Sequence, residues 1–240
     1  MNRWTQQQAV QQRGVSLIVV MVMLLLASVV VLSSTRVGWF HEKFVGSQSD
    51  YQRAFAAAEA LMKDAEHDIR GINPDGTPCK TAANHVGCRS IAQPYFPQDD
   101  DDIDTVTVLI GSNTTCKQGI CIPASVTTFG TDTWTTNLSS MTAGTGAASV
   151  AATYGQFTGV DPQSTGNPLL MSGTPRAWYW VEVFRYSNAG AITNQAGDLP
   201  IPDKNHPFVY RITTYATGIK PGTRVWLRSV FIPRPQNQNG

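Results

Sequence analysis

Four cysteines are the residues of this chain best suited to covalent or metal chemistry. Cys79 and Cys88 form one close pair, and Cys116 and Cys121 form another. In an exported domain an even number of cysteines favours disulfides, and pairing between neighbours is the simplest of three connectivities. A four-thiolate zinc site is the alternative. The spacings of eight and four intervening residues differ from the two-residue spacing of zinc ribbons, so we favour disulfides.

An aspartate-rich run offers a candidate site for a hard metal ion. Its five carboxylates are Asp99, Asp100, Asp101, Asp102 and Asp104. Oxygen ligands at this density bind calcium, although the spacing is not that of an EF-hand. A run of like charge is also typical of a solvated loop, which is the interpretation we favour. We therefore predict no cofactor, with calcium at these aspartates as the alternative.

Glu182 has the aromatic setting of a general acid, because Trp180 and Phe184 lie on the same face of its predicted strand. We expect instead an ion pair with Arg211 or Arg228, since a lone carboxylate lacks a catalytic partner. The sequence also contains no GxxxxGK run, no GxSxG elbow and no HExxH pair. It predicts a protein that is not an enzyme.

The amino-terminal region has the pattern of a membrane anchor. A polar leader, residues 1–14, has two arginines and no acid, and residues 15–32 carry no charge. As a helix the uncharged run spans roughly 27 Å, close to one bilayer core. The cationic flank keeps the leader cytoplasmic and sends the rest across the membrane. The alternatives are a signal peptide cleaved near Ser28 or Ser34, and an uncleaved anchor.

Helical periodicity continues without proline beyond the apolar run, which predicts one helix over residues 15–70 with 15–32 as its transmembrane part. Gly71 and Pro74 end this helix. Its apolar stripe, expected to pack against a sheet, recurs at steps of three and four residues. The stripe consists of Phe44, Tyr51, Phe55, Ala58, Met62, Ala65 and Ile69.

The middle of the chain, residues 71–176, is rich in loops and contains both cysteine pairs. Within it, Thr105–Ile110 alternates β-branched residues and predicts a strand. The stretch 137–166 is rich in Ser, Thr, Ala and Gly, so we interpret it as an insertion or mobile loop that specifies no core.

The carboxy-terminal region, residues 177–233, contains three alternating stretches that predict an antiparallel sheet. The stretch from Trp178 to Tyr186 is aromatic on both faces, as expected for a central strand. The polar tail, residues 234–240, is expected to be disordered. Together with the long helix, these elements predict an α+β fold.

Three features together resemble the PilX family of type IV pilus minor pilins. The leader that ends at Gly14 before an apolar run resembles the class III signal of type IV pilins. The segment Ala54-Phe55-Ala56-Ala57-Ala58-Glu59-Ala60 looks like the block that closes the amino-terminal region of the PilX family. Residues 208–213 and 225–229 resemble its closing strands. The match is good over about the first 70 residues and the last 35, and poor between them.

The resemblance implies a type IV pilin-like fold and cleavage between Gly14 and Val15 by a prepilin peptidase. It also implies a single-pass protein of the bacterial inner membrane with a periplasmic carboxy-terminal domain. The expected partners are other minor pilins, the major pilin, the peptidase and the membrane, with a tip adhesin as a further candidate. A type II secretion pseudopilin and a minor pilin acting as an adhesive module are the alternatives.

Charge argues against nucleic acid as a partner. Cleavage removes Arg3 and Arg13, which leaves 16 basic and 17 acidic residues in the mature chain. A net charge of −1 provides no basic field for binding phosphates.

Val19 departs from the pilin pattern. Most pilins have a glutamate as the fifth mature residue, and here that residue is valine. An ionised group in the bilayer costs about 2.5–3.5 kcal/mol, so a glutamate is kept there only for a partner. In pilins that partner is the free amine of the preceding subunit. A subunit with valine is suited to the first position of a filament, and we predict a priming or tip function.

Overall fold

The computed structural model describes residues 15–79, 89–90, 93–97, 99–111, 116–122, 138–171, 175–186 and 202–233. Contacts divide the chain into two compact units, Met1–Ser49 and Asp50–Gly240. The helices are α1 (Val15–Arg70), α2 (Asp100–Ile110) and α3 (Leu138–Met141). The strands are β1 (Cys116–Lys117), β2 (Ile120–Cys121), β3 (Ala177–Arg185), β4 (Phe208–Thr217) and β5 (Arg224–Phe231). The leader 1–14, Cys88 and the tail 234–240 lie outside the described residues.

The five strands form one mixed sheet in the order β1-β2-β3-β4-β5. The three long strands are antiparallel, as the alternation in 177–233 predicts, and β3 has the central place expected from its aromatic residues. The antiparallel sheet predicted for residues 177–233 is confirmed, and two short strands that were not predicted extend it, with β2 pairing in parallel with β3. The predicted α+β class is confirmed.

Each face of the sheet has its own buried cluster. The first cluster contains the buried apolar residues of α1 between Ala54 and Ile69 together with alternate residues of the long strands, among them Tyr179, Tyr210 and Ile212. The second lies on the opposite face and contains Trp180 and Tyr215. Tyr179 and Trp180 are both fully buried, which explains why β3 is aromatic at consecutive positions.

The carboxy-terminal end of α1 forms a Schellman motif at the predicted glycine. Gly71 has a φ of 61°. Its N–H donates to the carbonyl of Asp68 at 3.1 Å, and the N–H of Ile72 donates to the carbonyl of His67 at 3.1 Å. These bonds satisfy the last carbonyls of the helix.

The predicted apolar stripe of α1 was partly wrong. Ala58, Ala65 and Ile69 are buried, but Phe44 is 70% exposed and Tyr51 is 47% exposed. Beside these three residues the structure buries a second row of α1 residues, which also recurs at steps of three and four. It consists of Asp50, Ala54, Ala57, Leu61, Asp64 and Asp68.

The strand predicted at Thr105–Ile110 was wrong, because these residues belong to helix α2. Ile103, Val106 and Ile110 occur at helical spacing and pack in the first buried cluster. Asp99 caps the helix by accepting a hydrogen bond from the N–H of Asp102 at 3.1 Å. The cap and this packing outweigh the β-propensity of the sequence.

The interpretation of residues 137–166 as a stretch without a core was wrong for its described part. Ala152 and Phe157 are buried in the first cluster. Ala152 also forms a bridge with Tyr179 through two backbone hydrogen bonds of 2.9 and 3.1 Å. Small residues here permit close backbone contact with the sheet.

Candidate assembly site

The amino-terminal part of α1 is apolar and exposed. Ser16–Thr35 is long and apolar enough to cross a membrane, with a mean hydropathy of 2.9. The side chain of Val19 is 47% exposed. The first turn of α1 has no acidic residue, and the sequence has no Asp or Glu from Val15 until Glu42. The whole apolar segment therefore has no carboxylate with which to bind the amine of another chain.

Four of the hydroxyl groups of this segment are satisfied within the helix. Each donates to a backbone carbonyl three or four residues earlier, at 2.8–2.9 Å. These side chains are Ser28, Ser33, Ser34 and Thr35. Hydroxyls bonded in this way need no external partner in a hydrocarbon environment.

Helix α1 begins at Val15, the residue expected to follow the cleaved bond. Gly14 lies outside the described residues. Cleavage between Gly14 and Val15 therefore stays a prediction.

Asp50, the first of three buried aspartates on α1, binds the turn between β4 and β5. Its carboxylate accepts the N–H groups of Ile219 and Lys220 at 2.9 and 3.0 Å. Burial alone would raise the pKa of Asp50, but these backbone hydrogen bonds outweigh burial and lower it. Gly218 is required beside it, because a Cβ there would lie 2.1 Å from Asp50 Oδ2.

Asp64 binds the loop that contains Gly155 and Thr158. It accepts the N–H of Gly155 at 2.8 Å and the hydroxyl of Thr158. Burial raises the pKa of Asp64 to about 7 even though both hydrogen bonds favour the ionised form. The charge of Asp68 also raises this pKa.

Asp68 forms a buried ion pair with Arg89. The guanidinium donates from Nε and Nη2 to the two carboxylate oxygens at 2.9 and 2.6 Å. The hydroxyl of Tyr179 donates to Asp68 Oδ2 at 2.8 Å, and burial raises the pKa of that tyrosine. A buried ion pair is favourable only when the remaining polar groups are also bonded, and the Tyr179 contact helps to meet this requirement.

Arg89 connects α1 to segments that are distant in the chain. It donates to the carbonyls of Pro94 and Gln118 at 3.1 and 3.0 Å. Its guanidinium also lies 3.7 Å from the ring centroid of Phe157 and 5.0 Å from that of Phe96. One side chain thus ties the helix, the β1–β2 hairpin and two loops together.

The expected ion pair of Glu182 is confirmed, with Arg211 as the partner. The two residues are opposite each other on β3 and β4, and both oxygens of Glu182 accept from Arg211 at 2.6 Å. The carboxylate raises the pKa of Arg211. Arg228, the other candidate, donates to the hydroxyl of Thr213 at 3.3 Å. The Glu182 carboxylate is thus occupied by a bidentate ion pair.

The disulfide predicted between Cys116 and Cys121 is confirmed, with an S–S distance of 2.01 Å. It closes the β1–β2 hairpin, in which Gln118 and Gly119 both have positive φ. Cys79 is also disulfide-bonded. Its expected partner Cys88 lies outside the described residues, so that connectivity stays a prediction. The four-thiolate zinc alternative was wrong, because Cys116 and Cys121 are oxidised.

The aspartate run forms the amino-terminal end of α2. Asp99 is the N-cap, and Asp100, Asp101 and Asp102 lie in the first turn, where the helix dipole favours negative charge. Within the described ranges, no three His, Cys, Asp or Glu side chains lie close enough together to hold a metal ion. The calcium alternative is not tested by this arrangement.

Sequence reasoning missed the buried aspartates of α1. A signal was present, since Ala54, Ala57 and Leu61 recur at steps of three and four residues and Asp64 continues the series. The larger apolar residues of the neighbouring register masked it. Arg89 had no local signal, because Asp68, Gln118 and Phe157, three of its partners, are all more than 20 residues away in the sequence.

Two family profiles match the chain. The profile of the PilX N-terminal region matches residues 13–63, and that of the type IV pilus assembly protein PilX C-terminal region matches residues 117–233. The chain belongs to the PilX family of type IV pilus assembly proteins. No curated protein and no solved structure matches it significantly.

Membership of the PilX family makes this a structural, non-catalytic kind of protein. The carboxy-terminal match begins at Lys117, so the expectation of a poor match before the last 35 residues was wrong for 117–205. The matched region includes the hairpin, the loops that bind Asp64 and all three long strands.

Proposed function

We propose that this PilX-family protein initiates type IV pilus assembly and occupies the tip of the filament. The observation that supports this proposal is the lack of any carboxylate between Val15 and Glu42, with Val19 at the fifth position of the proposed mature chain.

The proposal follows from an asymmetry at the amino terminus. After cleavage at Gly14, the amine of Val15 would be available to the glutamate of a subunit below. Nothing in the apolar segment can bind the amine of a subunit above. A chain of this kind is therefore suited to the first position in a filament, and it is poorly suited to positions in the shaft.

The same proposal gives the location and the partners. The protein resides in the inner membrane through Ser16–Thr35, with residues from Asp50 onward in the periplasm, until it enters the filament. The oxidised Cys116–Cys121 hairpin fits an oxidising compartment. Its partners are the prepilin peptidase, the other minor pilins and the major pilin, with a tip adhesin as a further candidate.

The test compares Val19→Glu with Val20→Glu in cells that produce pili. Each variant places one acid in the apolar segment, at a similar cost of about 2.5–3.5 kcal/mol when unpaired. Only Val19→Glu places it where a pilin glutamate lies. We expect immunogold label at filament ends for the wild type and for Val20→Glu, and label along the shaft for Val19→Glu.

The comparison requires that the wild type and both variants are cleaved at the same bond. Mass spectrometry of each mature amino terminus checks this, and each should begin at Val15. Regular label along the shaft of wild-type pili would contradict the tip proposal. A start near Ser28 or Ser34 would contradict the proposed cleavage.

A further inference from the structure

The sheet face opposite α1 presents arginine and tryptophan side chains in register. Trp178, Tyr215 and Trp226 are directly opposite one another on β3, β4 and β5. Their rings are in contact, with centroids 6.0 Å apart for the first pair and 4.2 Å apart for the second. The same alternation places Arg224, Arg228 and Val230 of β5 on this face.

Part of this face is covered by the protein itself. Trp180 and Tyr215 are buried in the second cluster with Met141 and the Cys116–Cys121 disulfide. The outer part is accessible: Trp226 is half-buried, Arg224 and Arg228 are exposed, and Val230 is 63% exposed. We call Arg224, Trp226, Arg228 and Val230 the β5 face.

The charged side chains of the β5 face, Arg224 and Arg228, are both basic. From Lys204 to Gly240 the sequence has six basic residues and no Asp or Glu. The rest of the chain has 12 basic and 17 acidic residues, which gives it a net charge of −5. On the same sheet face Glu182 is the described acidic residue, and Arg211 already occupies both of its oxygens.

We propose that the β5 face binds an extended acidic segment of another protein. Strand β5 is the last strand in the sheet order, and among the described residues its paired strand is β4. Edge strands accept extended segments by backbone pairing, and neighbouring side chains on the same face then set the specificity. The inference does not depend on where the protein lies in a filament.

The spacing along β5 defines the complementary segment. Alternate residues of a strand lie about 6.8 Å apart, so Arg224 and Arg228 are separated by about 14 Å with Trp226 between them. A matching segment has two carboxylates four residues apart and an aromatic residue midway. Arginines on an edge strand also disfavour pairing with a further copy of β5, because like charges would then be adjacent.

A designed peptide tests the proposal. Labelled Thr-Glu-Thr-Tyr-Thr-Glu-Thr reads the same in both directions, so it matches β5 in parallel or antiparallel pairing. The control peptide has glutamine at both glutamate positions. Binding to the full chain in a nonionic detergent is measured by fluorescence anisotropy at low salt. We expect the glutamate peptide to bind about tenfold more tightly than its control.

Matched protein variants test whether the peptide binds at the β5 face. Arg224→Gln with Arg228→Gln should weaken binding about tenfold. Lys204→Gln with Lys220→Gln removes the same charge from the loops on either side of β4 and should leave binding within about twofold. All four side chains are exposed, so both variants should keep a cooperative unfolding transition, although Arg228→Gln also removes the 3.3 Å hydrogen bond to Thr213.

Four outcomes would overturn the proposal. The first is that both peptides bind equally well, and the second is that both double variants lose the same amount of peptide affinity. The third is that the protein binds anionic lipid vesicles or an oligonucleotide more tightly than the glutamate peptide. The fourth is that the protein self-associates and that the arginine substitutions abolish this self-association.

Discussion

The aspartates Asp50, Asp64 and Asp68 occupy one buried face of α1, but their carboxylates are stabilised in different ways. Asp50 binds two backbone N–H groups, and Asp68 binds a guanidinium and a phenol. Asp64 has one N–H and one hydroxyl and lies close to the charge of Asp68. Burial raises the pKa of Asp64 to about 7, whereas the backbone hydrogen bonds of Asp50 outweigh its burial and lower its pKa.

The raised pKa of Asp64 predicts that the folded protein loses stability as pH rises from 5 to 8. The folded state holds a proton on this carboxyl that the unfolded state releases near pH 3.8, so stability falls until the pH passes about 7. Between pH 5 and 8 the loss from this group is about 2–3 kcal/mol. In Asp64→Asn this contribution should disappear.

The measurement is urea unfolding of the full chain in nonionic detergent at several pH values. The difference in unfolding free energy between the wild type and Asp64→Asn isolates this group, because every other titratable residue is common to both proteins. Asp50, whose pKa is lowered, stays ionised throughout this range. The exposed Glu59→Gln is the control, and it should run parallel to the wild type. A difference that is constant with pH for Asp64→Asn would contradict the prediction.

At the scale of elements, α2 depends on its amino-terminal end. The helix has 11 residues, and isolated helices of that length are marginal in water. Its stability therefore rests on the Asp99 cap, on acids placed at the positive end of the dipole and on the burial of Val106 and Ile110.

Asp99→Ala should destabilise the protein by about 1 kcal/mol, because the N–H of Asp102 loses its acceptor. Asp104→Ala, which changes an exposed acid beyond the first turn, should alter the unfolding free energy by less than about 0.5 kcal/mol. Urea unfolding with calcium and with a chelator gives the comparison. Equal effects of the two substitutions would argue against the cap. A wild type that calcium stabilises would assign the run a ligand role instead.

How far the elements could be predicted depended on where their determinants lie. The end of α1 was predictable because it is determined by one residue, Gly71. Strands β3–β5 were predictable because each is marked by alternation of apolar and polar residues over a short stretch, such as that around Arg211. The helix α2 was not, since Thr105–Ile110 has strand propensity and its cap lies outside that window. The burial of Asp64 and Asp68 depends on Gly155 and Arg89, which are distant in sequence, and periodicity carries no such information.

At the scale of the whole molecule, the buried core lies within one of the two compact units. Asp50 is the first buried residue among the described residues of α1, and the earliest residue of the first cluster is Ala54. The unit that contains them is Asp50–Gly240. Large apolar residues before it whose side chains are described, such as Val19 and Phe44, are exposed.

This division predicts that residues 50–240 fold without the preceding segment when they are secreted into an oxidising compartment. The truncated chain keeps Asp50 and its bonds to Ile219 and Lys220. Its unfolding free energy should equal that of the full chain in detergent within about 1 kcal/mol.

A chain that starts at Ala65 lacks Leu61 and Asp64. Loss of a buried leucine side chain alone costs about 2–5 kcal/mol, a large share of the roughly 5–15 kcal/mol that stabilises a domain. Near-ultraviolet circular dichroism and non-reducing peptide mapping should find native packing and the Cys116–Cys121 disulfide in the longer chain only. Failure of 50–240 to fold would show that the first 49 residues contribute to the core, against the division observed here.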